Sequence, residues 1–231
     1  ADPICSDALA PVAQQTGAAL LTLGSAGQGS FATLAADQPT QLIPASRRED
    51  DLAALLYTSG TTGRSKGAML TQKNLLSNAQ VLAREWQFGA DDVLLHMLPI
   101  FHTHGLFVAS NTVLLTGGSM LFLPSFNPAE ALRLMPQATT MMGVPTFYTR
   151  LLDDARLTRD AVAHMRLFVS GSAPLLSETH TAFETRTGHR ILERYGMTET
   201  NMNSSNPYVG ERRAGTVGLP LPGVEIIITD P

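Results

Sequence analysis

Eleven consecutive residues, Tyr57-Thr58-Ser59-Gly60-Thr61-Thr62-Gly63-Arg64-Ser65-Lys66-Gly67, combine glycines, hydroxyls and a lysine directly after the apolar run that starts at Leu52. Glycine lets a backbone turn tightly and approach a ligand without Cβ contact. Hydroxyls and successive main-chain N–H groups donate to phosphate oxygens, and Lys66 adds a mobile positive charge. The segment reads as a phosphate loop, against the alternative of a flexible polar turn. Its spacing is not that of the common kinase and ATPase loop, which needs Gly-x4-Gly-Lys-Ser/Thr. Here Ser65 precedes the lysine and Gly67 follows it.

Three further segments carry residue types that could do chemistry. In Glu193-Arg194-Tyr195-Gly196-Met197-Thr198-Glu199-Thr200, Tyr195 offers a ring for stacking on a base. Gly196 lets the chain turn, and the Thr198 hydroxyl can bond an α-phosphate. Glu199 is a hard oxygen ligand of the kind that joins Mg²⁺ beside phosphates. In Leu98-Pro99-Ile100-Phe101-His102-Thr103-His104-Gly105, a strand stopped by proline is followed by two histidines. A lone histidine in such a place is more often a hydrogen-bonded core residue than a functional one. In Leu167-Phe168-Val169-Ser170-Gly171-Ser172-Ala173-Pro174-Leu175, a strand runs into small residues and a helix start. Taken alone, that is an ordinary strand-to-helix turn.

The elements that must hold these segments alternate. Helices are expected at 6–14, 72–87 with Thr71 as N-cap, 105–115, 128–135, 146–152 and 176–187. Strands are expected at 18–23, 52–57, 93–98, 119–123, 140–144, 167–170, 190–193 and 224–229. The run 52–57 reads as a buried strand. Residues 24–51, rich in Gly, Ser, Ala, Pro and Gln, read as a loop or linker. Strands separated by helices imply an α/β fold with a largely parallel sheet covered on both faces. Ligands of such sheets bind beyond the carboxyl ends of the strands, where all four segments fall.

Composition narrows the function classes. The 231 residues are 44% hydrophobic and 16% charged, with a net charge of -4 and one cysteine, Cys5. The charge and the lack of a dense Lys/Arg cluster argue against nucleic-acid binding. A single cysteine excludes a disulfide framework and a Cys-based metal site, and a reducing, cytoplasmic setting is the expectation. No apolar run reaches the length that spans a bilayer, so no membrane partner is expected. The chain opens on Ala1-Asp2-Pro3-Ile4-Cys5 without a methionine or a signal-peptide pattern, and it closes on Ile226-Ile227-Ile228-Thr229-Asp230-Pro231. Both ends are expected to be cuts in a longer protein.

From Leu52 to Val224 the four segments, together with Gly215-Thr216-Val217-Gly218-Leu219-Pro220, resemble in order the motifs of the adenylate-forming superfamily, which includes acyl-CoA synthetases, luciferase and peptide-synthetase adenylation domains. The resemblance implies that residues 1–231 are the central part of the large AMP-binding N-terminal domain. A small C-terminal domain with the catalytic lysine would be absent, and with it the CoA site, so the fragment alone is expected to be inactive. ATP, Mg²⁺ and CoA are the implied cofactors and substrates. Thr58, Ser59, Gly60, Thr61, Thr62, Gly63, Arg64, Ser65 and Lys66 would hold the ATP phosphates. Ser172, Ala173, Pro174, Glu193, Tyr195, Gly196, Met197 and Thr198 would hold adenine and AMP, with Glu199 on Mg²⁺. His102 would flank the acyl pocket. Peptide-synthetase domains carry an Asp in that region, and its absence here points to a simple acid.

Arg194, Arg150 and Ser172 add a finer resemblance, to the malonyl-CoA synthetase subfamily, in which two arginines and a serine clasp the second carboxylate of malonate or methylmalonate. A buried unpaired arginine is costly to desolvate, whereas a carboxylate gives it charge-assisted bonds. A short- or medium-chain acyl-CoA synthetase and a non-catalytic nucleotide-binding fragment are the rival readings.

Overall fold

The helix Gln72–Glu85 starts where its first turn is satisfied from both directions. Thr71 Oγ1 accepts the N–H of Asn74 at 3.2 Å, and Asn74 Oδ1 accepts the N–H of Thr71 at 2.9 Å. This reciprocal cap provides for two amides that the helix itself leaves without partners. The computed structural model describes residues 1–58 and 65–229.

Two units emerge, Ala1–Ser46 and Arg47–Pro231. The first holds α1 (Ser6–Thr16) and α2 (Ser30–Ala36). The expected strand at 18–23 is absent. In its place Thr22 and Ser30 exchange two bonds: the Thr22 N–H donates to Ser30 Oγ at 2.9 Å, and the Ser30 N–H to Thr22 Oγ1 at 3.1 Å. That pairing starts α2 inside the stretch expected to be a loop.

In the second unit β1 (Leu52–Thr58) and β2 (Lys66–Thr71) form an antiparallel hairpin. The strand expected to be buried is largely exposed, because its partner is this short ribbon and not the main sheet. The hairpin leads into α3 (Gln72–Glu85). Then follow β3 (Val93–His96), a π-helical turn His104–Ser110 that runs on as α4 (Asn111–Leu115), β4 (Ser119–Phe122) and α5 (Pro128–Leu134). Next come β5 (Thr140–Gly143), α6 (Pro145–Leu152), β6 (Leu167–Ser170), α7 (Ser177–Thr187) and β7 (Leu192–Met197), and last β8 (Asn201–Ser205) and β9 (Leu219–Pro220). Among the described residues the main sheet has the order β4-β3-β5-β6-β7-β8-β9. It is parallel from β4 to β7 and antiparallel from β7 to β9. The α/β expectation with a largely parallel sheet therefore holds. The expected strand at 224–229 does not form, and Ile226, Ile227 and Ile228 are exposed.

Alternation along the inner strands divides the core. Leu95, Met141 and Phe168 join one apolar cluster, with Tyr148, Leu151 and Phe183 from α6 and α7. Their neighbours Leu94, Met142, Leu167 and Val169 join the other, with Leu82 from α3, Trp86 just after it and Val113 from α4. Each such aliphatic side chain contributes about 1.5–3 kcal/mol by leaving water, so both faces fix the register of the strands. Trp86 Nε1 donates to Ser205 Oγ at 2.9 Å, which attaches the antiparallel edge to α3. No helix among the described residues is long and apolar enough to cross a membrane.

Candidate active site

The parallel strands end on one side, and the residues that follow them enclose a cavity of about 810 Å³. After β3 come Leu98, His102, His104 and Gly105, after β5 Val144, and after β6 Ser172. From β7 and its turn come Arg194, Met197, Thr198 and Glu199. Thr58 and Lys66, the last pair of the β1–β2 hairpin before residues 59–64, line the same space. Ser65 is exposed and stands outside the lining. Ser59, Gly60, Thr61, Thr62, Gly63 and Arg64, the heart of the expected phosphate loop, lie outside the described residues.

A second cavity of about 320 Å³ adjoins the first, with Ser172, Arg194 and Gly196 lining both. Ala173, Pro174, Glu193 and Tyr195, all expected around adenine, line it with Gly215 and Val217. Met197 and Thr198 belong to the larger cavity alone. Glu193 also acts as a brace, a role invisible in the motif. Its Oε1 accepts from His180 Nδ1 and from the N–H of Gly215, both at 3.2 Å.

Between the two cavities lies Arg194, 3% exposed. Its Nε and Nη2 have no hydrogen-bond partner among the described residues. Burial pushes its pKa down to about 10, so it remains charged at neutral pH. Buried polar groups are almost always partnered, and a charged one without a partner implies an anionic ligand. Beside it His104 Nδ1 pairs with Ser172 Oγ at 3.1 Å. The sequence offered no role for His104. It is placed by the π-helical turn, a feature frequent at functional sites. Within that turn the Gly105 carbonyl accepts from His96 Nε2 at 3.0 Å and from Ser110 Oγ at 2.9 Å. His102 is exposed, with its ring 4.6 Å from that of Phe101.

Arg150, expected in the same clasp, stands apart. It is exposed, it does not line the cavity, and its guanidinium lies over the Phe126 ring at 4.9 Å. Tyr148 and Leu151 take the core-facing positions of α6, and Arg150, which lies off that face of the helix, turns outward. The structure thus brings Arg194, Ser172 and His102 to one cavity and leaves Arg150 outside it.

Burial, then the Arg194 charge and His96, hold the His104 imidazole well below its ordinary pKa. The unfolded chain takes up a proton near pH 6.5 that the folded chain refuses. Stability from this group is therefore complete above about pH 6.5 and is lost as the pH falls below it, by up to about 1.4 kcal/mol per pH unit. Denaturant melts between pH 5 and 7.5 should show a shallower acid slope for His104→Gln than for the wild type. Equal slopes would mean that this imidazole titrates freely.

Comparison with known proteins agrees with this geometry. The family model described as AMP-binding enzyme matches residues 6–231. The mouse protein named malonate–CoA ligase ACSF3, mitochondrial, is 39% identical over 236 residues, covering 95% of this chain and 40% of its own length. The ATP-bound crystal structure of MatB from Rhodopseudomonas palustris superposes with a TM-score of 0.96 at 58% identity, over 100% of this chain and 46% of that one. A malonyl-CoA ligase in a ternary product complex with methylmalonyl-CoA and AMP gives 0.80 at 39% identity, over 94% of this chain and 50% of that one. The chain thus spans half or less of the length of these relatives. Strand ends that gather a hairpin lysine, a Thr-Glu turn and two adjoining cavities agree with the family match: the chain belongs to the AMP-binding enzyme family.

Proposed function

We propose that the enzyme containing this chain is an ATP-dependent acid–CoA ligase whose acid is a small dicarboxylate, malonate or methylmalonate. The observation that carries the choice of acid is Arg194, a buried guanidinium on the cavity wall with two nitrogens unpartnered among the described residues. A fatty-acid tail would leave that charge desolvated and unpaired, at a cost of several kcal/mol. A distal carboxylate would pair it and could accept from the Ser172 hydroxyl as well. The relatives named for malonate and methylmalonyl-CoA support the same acid.

In the first half-reaction one carboxylate oxygen of the acid attacks the α-phosphorus of ATP. The new P–O bond forms as the bond to the β-phosphate breaks, giving acyl-adenylate and pyrophosphate. Lys66, at the mouth of the cavity, neutralises the departing pyrophosphate. Thr198 holds an α-phosphoryl oxygen, and the Tyr195 ring and the residues after β6 flank the base. These groups act by positioning and by charge. In the second half-reaction the CoA thiol sulfur bonds to the acyl carbon, and AMP leaves.

Among the described residues no group of three or more acidic, His or Cys side chains could cage a metal. A single carboxylate, Glu199, lines the cavity beside Thr198. That donor set fits Mg²⁺, which keeps several waters and arrives with the phosphates, and Glu199 would hold it. When bound, the ion offsets phosphate charge.

Acid-dependent ATP–pyrophosphate exchange on the full-length enzyme tests this reading. Exchange with malonate and little with butyrate is expected. Exchange favouring butyrate would keep the ligase and reject the dicarboxylate. No exchange with any acid would leave a nucleotide-binding role without catalysis.

A further inference from the structure

The dipeptide that follows β6, Gly171-Ser172, stands in the order opposite to the one its backbone would select. Ser172 has φ of 70°, in the left-handed region where a side chain is strained. Gly171 is absent from the positive-φ residues, so its backbone does not call for glycine. What position 171 lacks is room. A Cβ built there would collide with Arg194 Cζ and would lie 2.6 Å from both Nε and Nη1. The guanidinium therefore rests directly on the Gly171 backbone. That floor is held to the neighbouring strand, because the Gly171 N–H donates to the Gly143 carbonyl at 3.3 Å. The strained residue beside it carries the hydroxyl paired with His104. Strain kept next to a buried charge without a partner among the described residues is the kind that persists for function.

We infer that Gly171 is a positioning residue for acid selectivity, whose missing side chain seats the Arg194 guanidinium between the two cavities while the strained Ser172 presents its hydroxyl beside it. The inference rests on the reading of Arg194 and Ser172 as the carboxylate clasp. Gly171 touches no substrate in this account; it acts through Arg194 alone.

The test is a double-mutant cycle on the full-length enzyme, read by pyrophosphate exchange with MgATP and either malonate or butyrate. Gly171→Ala should raise the malonate KM on the order of 10- to 100-fold, the range of one charge-assisted bond. The ATP KM should stay within about twofold, a split that a merely structural defect would not give. In the Arg194→Met background the same substitution should leave butyrate kinetics unchanged, because the guanidinium is gone and the shorter, flexible thioether can turn aside. If Gly171→Ala alone does not fold, the double variant should fold and behave like Arg194→Met. An unchanged malonate KM, a loss that adds to that of Arg194→Met, or a double variant that still fails to fold would each overturn the inference. A wild type without malonate preference would instead remove the clasp on which it stands.

Discussion

Replacing Arg194 with Met should lower malonate-dependent ATP–pyrophosphate exchange by a factor on the order of 10⁴ and bring up exchange with butyrate. A site built around a hydrogen-bonded charge rejects the analogue that lacks it, because the protein group is then left unpaired. Arg194 meets that condition, being buried, still charged at neutral pH and without partners for Nε and Nη2 among the described residues. Among the described residues the side chains around it supply no compensation. Tyr148 gives its hydroxyl hydrogen to the Val169 carbonyl at 2.6 Å, and burial raises its pKa far above the range in which it could ionise. His104 is held neutral. Methionine keeps an unbranched side chain and removes the charge. The variant should therefore be more stable than the wild type without ligand, by about 1–4 kcal/mol in denaturant melts, since apolar replacement of a buried charge often stabilises. Higher stability with malonate activity lost would show that the fold tolerates the guanidinium for the sake of the acid. Unchanged malonate kinetics would place the second carboxylate elsewhere.

What the sequence made legible follows physical lines. Signals confined to a few adjacent residues were read correctly. The cap at Thr71 depends only on Thr71 and Asn74, and the apolar runs of β3, β5 and β6 are buried on both faces, so their hydrophobicity is continuous. Strand β8 was hidden because most of its residues are polar, and β9 because it is only two residues long. Asn201, Ser204 and Ser205 are buried in β8, and next to them Asn206 Nδ2 donates to the carbonyls of Glu193 at 3.1 Å and Thr216 at 2.6 Å. Such pairing is not visible from composition. The isoleucines at 226–228 show the converse, an apolar run with no neighbouring strand among the described residues. Site residues divide in the same way. Thr198, Glu199 and Lys66 announce themselves by type, but Arg150 and Arg194 look alike in a string. Only the helical face of one and the strand position of the other separate them. His104 carried one usable signal, a second histidine two residues after the first, but its role depends on a π-helical turn that no local pattern foretold.

Gly196→Ala should lower exchange with every acid by a factor on the order of 10²–10³ while leaving the preference for malonate over butyrate in place. A Cβ at position 196 would run into the Asn201 carbonyl oxygen and Met202 Cε, and would lie 2.9 Å from the Asn201 carbonyl carbon. Two of those three atoms are backbone, so no rotamer change relieves the conflict. Strand β8 cannot simply retreat, because Asn78 grips Met202 from both sides. The Asn78 Nδ2 donates to the Met202 carbonyl at 3.0 Å, and the Met202 N–H donates to Asn78 Oδ1 at 3.3 Å. Asn201 is already in the left-handed region, with φ of 56°. The movable part is therefore the turn between β7 and β8, which carries Thr198 and Glu199. Misplacing such groups by about 1 Å costs on the order of 10²-fold in rate, and two groups move together. Arg194 lies on the buried half of β7, before the irregularity between Tyr195 and Gly196, so the acid clasp should keep its place. An ATP KM and a rate that both worsen, with the ratio between acids unchanged, would separate phosphate positioning from acid recognition on one strand. A shift in that ratio would mean that the two are mechanically coupled through β7.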